Sequence, residues 1–400
     1  MESVSDLATK CIRCGFCLES CPTFVLTGEE TESPRGRIHL IRSADLGRVA
    51  WRELAPHIDR CLGCRACETA CPSGVEYGEL LTIARDRLEM EQPRRARALL
   101  LAILTRRALL KPLMIVGRIY RGKRLPYFLS MRLSGQIATA EVPRIGPKAQ
   151  WPPLEMNATK GQVALLRGCA QPVLFPRVTS ATERLVQRLG FEPMSVDLGC
   201  CGALHGHNGH SAAGQRMARS VLERAAGKPI ITDSAGCGSW LKESIGANIY
   251  DLSEFLVAHG MIDALKESDG CEITVTYHDA CHLAHGQGIR QGPRDLLAAI
   301  PGVRLVPLAE ADMCCGSAGI YNLTQPHLAA RMQNRKLDAI RDSGAHAVVL
   351  GNPGCQAWIA QGLRERHSTV PVFHLAEMLE ASFSGLPFDL RKKGLSPFSS

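Results

Sequence analysis

Eight of the seventeen cysteines form two copies of one pattern. The first is Cys11-x2-Cys14-x2-Cys17-x3-Cys21-Pro22, the second Cys61-x2-Cys64-x2-Cys67-x3-Cys71-Pro72. Three closely spaced thiolates can each bind a different iron of one [4Fe–4S] cube, and the fourth, beside the proline, ligates the other cluster. The spacing therefore assigns Cys11, Cys14, Cys17 and Cys71 to one cluster and Cys61, Cys64, Cys67 and Cys21 to the other. The crossing keeps the two clusters close, so the segment reads as an electron wire. No catalytic residue is assigned. Structural zinc uses separated Cys-x2–4-Cys pairs rather than triplets with a trailing Cys-Pro. A disulfide framework suits small secreted chains, whereas this chain has 400 residues and an odd number of cysteines.

Eight of the other nine cysteines repeat too. Cys169, Cys200, Cys201 and Cys237 recur as Cys281, Cys314, Cys315 and Cys355, each pair of adjacent cysteines followed by glycine. Steady offsets with matching flanks mean a duplicated module. Four thiolates suffice for a further cluster, and a vicinal pair could instead form a redox disulfide. Buried packing is the bland alternative, but two parallel sets of four favour metal or redox chemistry. His278, His282 and His285 flank Cys281, and His205, His207 and His210 follow Cys201. His278 and His282 would share a face if that segment were helical. Either group could donate a proton near neutral pH or be structural. Pro34-Arg-Gly-Arg37 reads as a brace for the cluster domain.

These side chains need elements to hold them. Apolar β-rich runs at Val163–Leu166 and Ile273–Tyr277 lead into the first cysteine of each module. Helical stretches follow at Val178–Leu189 and Gly292–Ala299, and further strands at Ile230–Thr232 and Ala347–Leu350. Strands alternating with helices predict a parallel α/β layer in each half. Cysteines in the turns after strands then lie at the carboxyl ends of the sheet, where such folds place ligands. The predicted fold class is α + α/β: a helical ferredoxin-type N-terminal domain, then two repeated α/β Cys-Cys-Gly modules. The expected domains are 1–91 (two clusters), 92–155 (connector), 156–265 (module 1) and 266–400 (module 2).

The net charge of +8 is uneven. Gln92 to Ala140 holds eleven Lys/Arg and no acidic residue. This stretch reads as a basic helical connector interrupted at Pro112, ending in a loop with four prolines over Val142–Leu154. Its sharper reading is contact with an anionic membrane surface; the alternatives are partner docking and a solvated face. No apolar run approaches the ~20 residues of a membrane span. The start, MESVSDLATK, shows no signal-peptide pattern, so a reducing, cytoplasmic setting is expected, with peripheral contact to the inner face of the membrane left open. Aromatic content of 5% offers little for stacking on bases, and no helix-turn-helix signal is present, so no nucleic-acid partner is expected.

The double cysteine run followed by two Cys-Cys-Gly modules resembles the glycolate oxidase iron–sulfur subunit family. The strings CIRCGFCLESCPTF, SPRGRIHLI, DRCLGCRACETACPSGV, RGCAQP, CCGALHG, SAGCG, MCCGSAGIYNLT and GCQ carry the resemblance over almost the whole chain. It implies an oxidoreductase subunit that is not catalytic alone. FAD-binding partner subunits would oxidise glycolate to glyoxylate, and this chain would pass the electrons to a quinone-type acceptor. The implied cofactors are two [4Fe–4S] clusters, with one or two more left open in the modules; FAD is expected only on the partners. No G-x-G-x-x-G follows a strand here. The alternatives are an iron–sulfur subunit of a lactate or glycerol-3-phosphate dehydrogenase, or a heterodisulfide-reductase-like thiol/disulfide enzyme. Heterodisulfide reductase modules end in Cys-x2-Cys; Trp240 and Trp358 stand at that last position here, and tryptophan cannot ligate iron.

Overall fold

The computed structural model describes residues 3–119, 151, 154, 160–246 and 248–384. Residues 120–150 of the expected connector, and its proline-rich end apart from Trp151 and Leu154, lie outside the described residues.

The N-terminal segment is helical. Val4–Thr9, Pro34–Asp45, Trp51–Asp59 and Tyr77–Glu91 bury Leu7, Ile41, Leu54, Ile58, Leu80 and Leu88 in one core. Local chemistry sets the helix starts. Ser3 and Asp6 form a reciprocal capping box, and Ser33 Oγ accepts from the Gly36 N–H at 3.0 Å. The two cysteine loops share a backbone rhythm. Arg13 and Gly15 in the first loop, and Gly63 and Arg65 in the second, all have positive φ. Two left-handed residues per loop fold the chain back so that its thiols converge. Arginine is strained there, and Arg65 is held by Glu68 at 2.6 Å and by Glu243.

Each later module contains a four-stranded parallel sheet. The first uses β1 (Gln162–Leu165), β2 (Glu192–Pro193), β3 (Ile230–Thr232) and β4 (Ile249–Asp251); the second uses β5 (Ile273–His278), β6 (Val303–Val306), β7 (Ala347–Leu350) and β8 (Val372–His374). The orders β2-β1-β3-β4 and β6-β5-β7-β8 match, so the duplicated cysteines sit on a duplicated topology. The fold is the expected α + α/β arrangement. The strands legible in the sequence are the central ones, covered on both faces and therefore rich in apolar and β-branched residues. Leu165 pairs with Ile231 and His278 with Leu350, so the carboxyl ends of the two central strands are level in each sheet.

The modules interlock. Helix Leu375–Phe383 of the second packs against Pro176–Arg188 of the first, where fully buried Glu380 accepts from Arg184 at 2.5 Å and Arg188 at 2.8 Å. His374 Nε2 donates to the Asp233 carbonyl at 2.8 Å.

Two helices, Arg95–Thr105 and Arg107–Ile119, follow the cluster domain. The break falls at Arg106 and not at Pro112, which lies inside the second helix. Pro112 and Ala108 are exposed, so water can satisfy the carbonyl that the proline leaves unpaired. Leu101, Leu110 and Met114 are buried, while Leu99, Leu109, Leu113 and Ile115 are exposed. Among the described residues no helix is long and apolar enough to cross a membrane.

Candidate metal centres

Cys21, Cys61, Cys64 and Cys67 line one cavity of the helical domain, together with Arg37 and Tyr77. Cys11, Cys14, Cys17 and Cys71 line a second, which Cys67 also borders. Each Cys-Pro cysteine thus sits with the triplet of the other run. Donors point at the sulfurs: the Gly63 N–H at Cys61 Sγ (3.4 Å), the Val75 N–H at Cys71 Sγ (3.5 Å) and the Tyr77 hydroxyl at Cys61 Sγ (3.5 Å). Burial, then neighbouring thiols, push Cys64 and Cys67 well above the ordinary thiol range. Four thiolates crowded in one pocket repel one another unless a cation lies among them, so the donor set fits a metal cluster.

Arg37 braces this pocket, as the Pro34-Arg-Gly-Arg37 string suggested. It is 1% exposed and donates to Glu32 Oε2 (2.7 Å), the His57 carbonyl (2.8 Å) and Thr23 Oγ1 (3.0 Å). Gly36 fits because a Cβ there would lie 1.9 Å from the Glu30 carbonyl oxygen.

The four cysteines of each module also converge. In the first, Cys169, Cys200, Cys201 and Cys237 form a run of sulfur contacts, with Cys201 Sγ 3.1 Å from Cys237 Sγ. Hydrogen bonds from Cys169 and Cys201 hold the Cys200 thiol down to about 3. In the second, Cys281, Cys314, Cys315 and Cys355 form the same run, and all four are buried. The sequence reading put Cys237 and Cys355 in turns, but the structure puts them in helices. Each is the third residue of a helix, Ala235–Ile245 or Pro353–Glu365, whose N-terminus favours thiolate. The glycine of each Cys-Cys-Gly has φ of +88° (Gly202) or +92° (Gly316). A Cβ would meet the Gly214 carbonyl oxygen at 2.3 Å or that of Ala329 at 2.7 Å, so glycine both turns the chain and admits the next helix.

Trp240 fills the floor of module 1, where a Cβ on Gly206 would lie 2.2 Å from its ring. The histidines separate into different roles. His278 ends β5 and His282 begins anew in the helix Cys281–Ala284, so they share no helix face. His285 is structural, with Nδ1 2.9 Å from Thr69 Oγ1 and Nε2 3.1 Å from the Asp312 carbonyl. His205 and His210 rings lie 6.4 Å apart. His207 stacks on His282 across the module boundary.

The helical domain sits against both modules. Arg85 donates to the carbonyls of Cys61 (2.6 Å) and His207 (2.7 Å), and the Tyr321 hydroxyl donates to the Arg60 carbonyl (2.9 Å). His207 and Tyr321 occupy equivalent places, six residues beyond Cys201 and Cys315. Cys64 belongs to the same core as Cys281 and Cys314, close enough for their charges to interact. The Cys21/Cys61/Cys64/Cys67 pocket therefore lies toward the thiols of module 2. Arg85, Tyr321 and buried Lys336 escaped the sequence reading because no spacing signals them.

Residues 7–75 match the family described as 4Fe-4S dicluster domain, and 163–242 and 275–360 match the cysteine-rich domain. The glycolate oxidase iron-sulfur subunit of Escherichia coli (strain K12) is 33% identical over 92% of this chain and 93% of its own length. The chain belongs to the glycolate oxidase iron–sulfur subunit family. A Bacillus subtilis (strain 168) protein named "Probable glycolate oxidase iron-sulfur subunit" is 31% identical over 92% of each chain. Lactate utilization protein A of Exiguobacterium sp. (strain ATCC BAA-1283 / AT1b) is 28% identical over 54% of this chain and 96% of its own length. Membership makes this an iron–sulfur protein, in keeping with its converging thiols.

Proposed function

We propose that this chain carries electrons in a glycolate oxidase complex, from FAD-binding subunits that oxidise glycolate to glyoxylate toward a quinone-type acceptor. The packing of Cys64 in one buried core with Cys281 and Cys314 carries this reading, because it brings two thiol pockets of one chain together.

Cys11, Cys14, Cys17 and Cys71 would hold one [4Fe–4S] cluster, and Cys21, Cys61, Cys64 and Cys67 the other. When bound, such clusters supply one-electron transfer. The chain's own groups tune the pockets: N–H donors at Cys61 and Cys71 favour the anionic sulfur, and buried Arg37 offsets charge. Cys14 is the one exposed cysteine, flanked by exposed Ile12 and Phe16, which gives the first pocket an open edge toward a redox partner. The quartets of the two modules are assigned as further cluster or redox-thiol sites. Substrate oxidation and its flavin are assigned to the partners. The complex is placed on the cytoplasmic side, against the inner face of the membrane. Lactate is the second substrate to compare, given the relative named for lactate utilisation.

The test is co-purification with tagged chain, followed by spectroscopy. Glycolate should bleach the flavin of the captured partner, and quinone reduction should require this chain. Undiminished quinone reduction without it, or 2-hydroxy-acid turnover by this chain alone, would overturn the reading. Bleaching by lactate and not glycolate would replace the substrate.

A further inference from the structure

We propose that module 2 holds an iron centre of mixed ligation, in which His278 Nε2 joins the thiolates of Cys315 and Cys355. The inference rests on the iron–sulfur reading of module 2 and adds a nitrogen ligand to it.

Three observations carry it. First, one donor atom from each of His278, Cys315 and Cys355 lies within 4.8 Å of the others, and all three residues are buried. Second, the ring is prepared as a metal-ligating imidazole usually is. Nδ1 lies 3.1 Å from the Ala311 carbonyl and so carries the proton, while Nε2 is buried with no hydrogen-bond partner among the described residues. A backbone carbonyl on one ring nitrogen fixes the tautomer that leaves the other free to bind metal. A buried nitrogen left unpaired is otherwise destabilising. Third, the duplicate lacks the feature. His278 lies three residues before Cys281, and the residue three before Cys169 is Leu166. The close approaches of Gly202 to Gly214 and of Gly316 to Ala329 align the following helices, so that buried Lys336 matches Val221. Lys336 Nζ donates to the Glu310 and Ala311 carbonyls, which places a cation near the thiolates and steadies the carbonyl that orients His278. One copy thus keeps an apolar pair, and the other an imidazole and an ammonium.

Thiolate with imidazole suits both zinc and iron. Iron is favoured here because Cys64 of the adjoining cysteine pocket shares a buried core with Cys281 and Cys314, and a metal without redox chemistry would end the route there. Histidine in place of thiolate raises the potential of an iron–sulfur centre, which suits the far end of an electron path.

The test uses full-length chain, purified without oxygen, reduced and examined by pulsed electron paramagnetic resonance. Wild type should show an imidazole nitrogen coupling on an iron signal separate from the two ferredoxin-type signals. In His278→Leu, which copies position 166, that coupling should vanish while the two ferredoxin-type signals report a folded chain. His278→Cys should keep the iron and lose the nitrogen coupling, which separates a lost ligand from a lost fold. Absence of a third iron signal, coupling that survives both substitutions, or zinc in module 2 would overturn the inference. The glycolate-to-quinone assay judges the electron-transfer reading separately.

Discussion

The imidazoles of His207 and His282 stack with centroids 4.9 Å apart and planes 15° from parallel. One comes from each module, and Trp240 meets His207 edge-on at 5.5 Å. Burial, then nearby cationic groups including Arg65 and Arg85, keeps both rings uncharged: His282 is pushed down to about 4 and His207 well below its ordinary value.

This stack should make the module junction acid-sensitive. Between the ordinary histidine value and about 4, the unfolded chain binds protons that the folded chain refuses, so stability falls as pH falls. By pH 5 the loss from His282 is about 2 kcal/mol. Denaturant midpoints at pH 7 and pH 5 should therefore differ less in a His207→Phe/His282→Phe double variant than in wild type. Equal losses in both proteins would rule out the stack as the cause.

Glu32 anchors the cluster domain. It is fully buried and accepts from Arg37 (2.7 Å) and Arg60 (2.8 Å), with His57 Nδ1 at 2.7 Å. Glu32→Gln leaves the Arg37 charge without its carboxylate, a change that costs about 3–5 kcal/mol. Chemical denaturation and iron per chain should both drop, because Arg37 borders the Cys21/Cys61 pocket. Retention of full iron and stability would show that water replaces the carboxylate.

Gly202→Ala and Gly316→Ala should each disrupt their own module. The new Cβ would combine a left-handed backbone with overlap of the facing helix, for a loss of at least about 2 kcal/mol. Gly227, at φ +77° with nothing within 4 Å of its Cβ position, is the control, expected to lose only about 1 kcal/mol on change to Ala. Hydrogen exchange should localise the damage; a Gly316→Ala effect no larger than the control would contradict the close-approach argument.

Anaerobic protein should carry about eight irons from the two ferredoxin-type pockets. Cys14→Ser should lose the outer cluster, and Cys64→Ser the one against module 2. Only Cys64→Ser should break electron delivery from the ferredoxin-type domain to module 2 at its last step. If both retained full iron and unchanged paramagnetic signals, the ligand assignment would fail.

The membrane expectation changes in its physics. Of the basic residues of this stretch, Arg94 and Arg97 pair with Asp59, and Arg107 pairs with Asp197. Arg95, Arg106 and Lys111 remain exposed, beside exposed Leu99, Leu109, Leu113 and Ile115. Vesicle binding should therefore depend on apolar area as much as on salt. Leu109→Ser/Leu113→Ser should weaken flotation with anionic vesicles more than Arg95→Gln/Lys111→Gln does, since a buried leucine contributes about 1.5–3 kcal/mol and a surface cation about 1. The reverse order would restore the electrostatic reading.

The sequence by itself determined the thiols, their crossed grouping, the duplication and the central strands. Those features are local. Each cysteine run packs three ligands of one cluster within a few residues of one another, and a strand covered on both faces is rich in apolar and β-branched residues. Edge strands β2, β4 and β8 have two or three residues and leave no such pattern. Tertiary structure alone decided that His278 lies beside Cys315 and Cys355, that Arg85 ties Cys61 to His207, and that Cys64 shares a buried core with Cys281 and Cys314. Each of these joins residues far apart in the chain, and which of many chemically similar side chains meet is fixed by how whole helices and sheets pack, not by spacing along the chain.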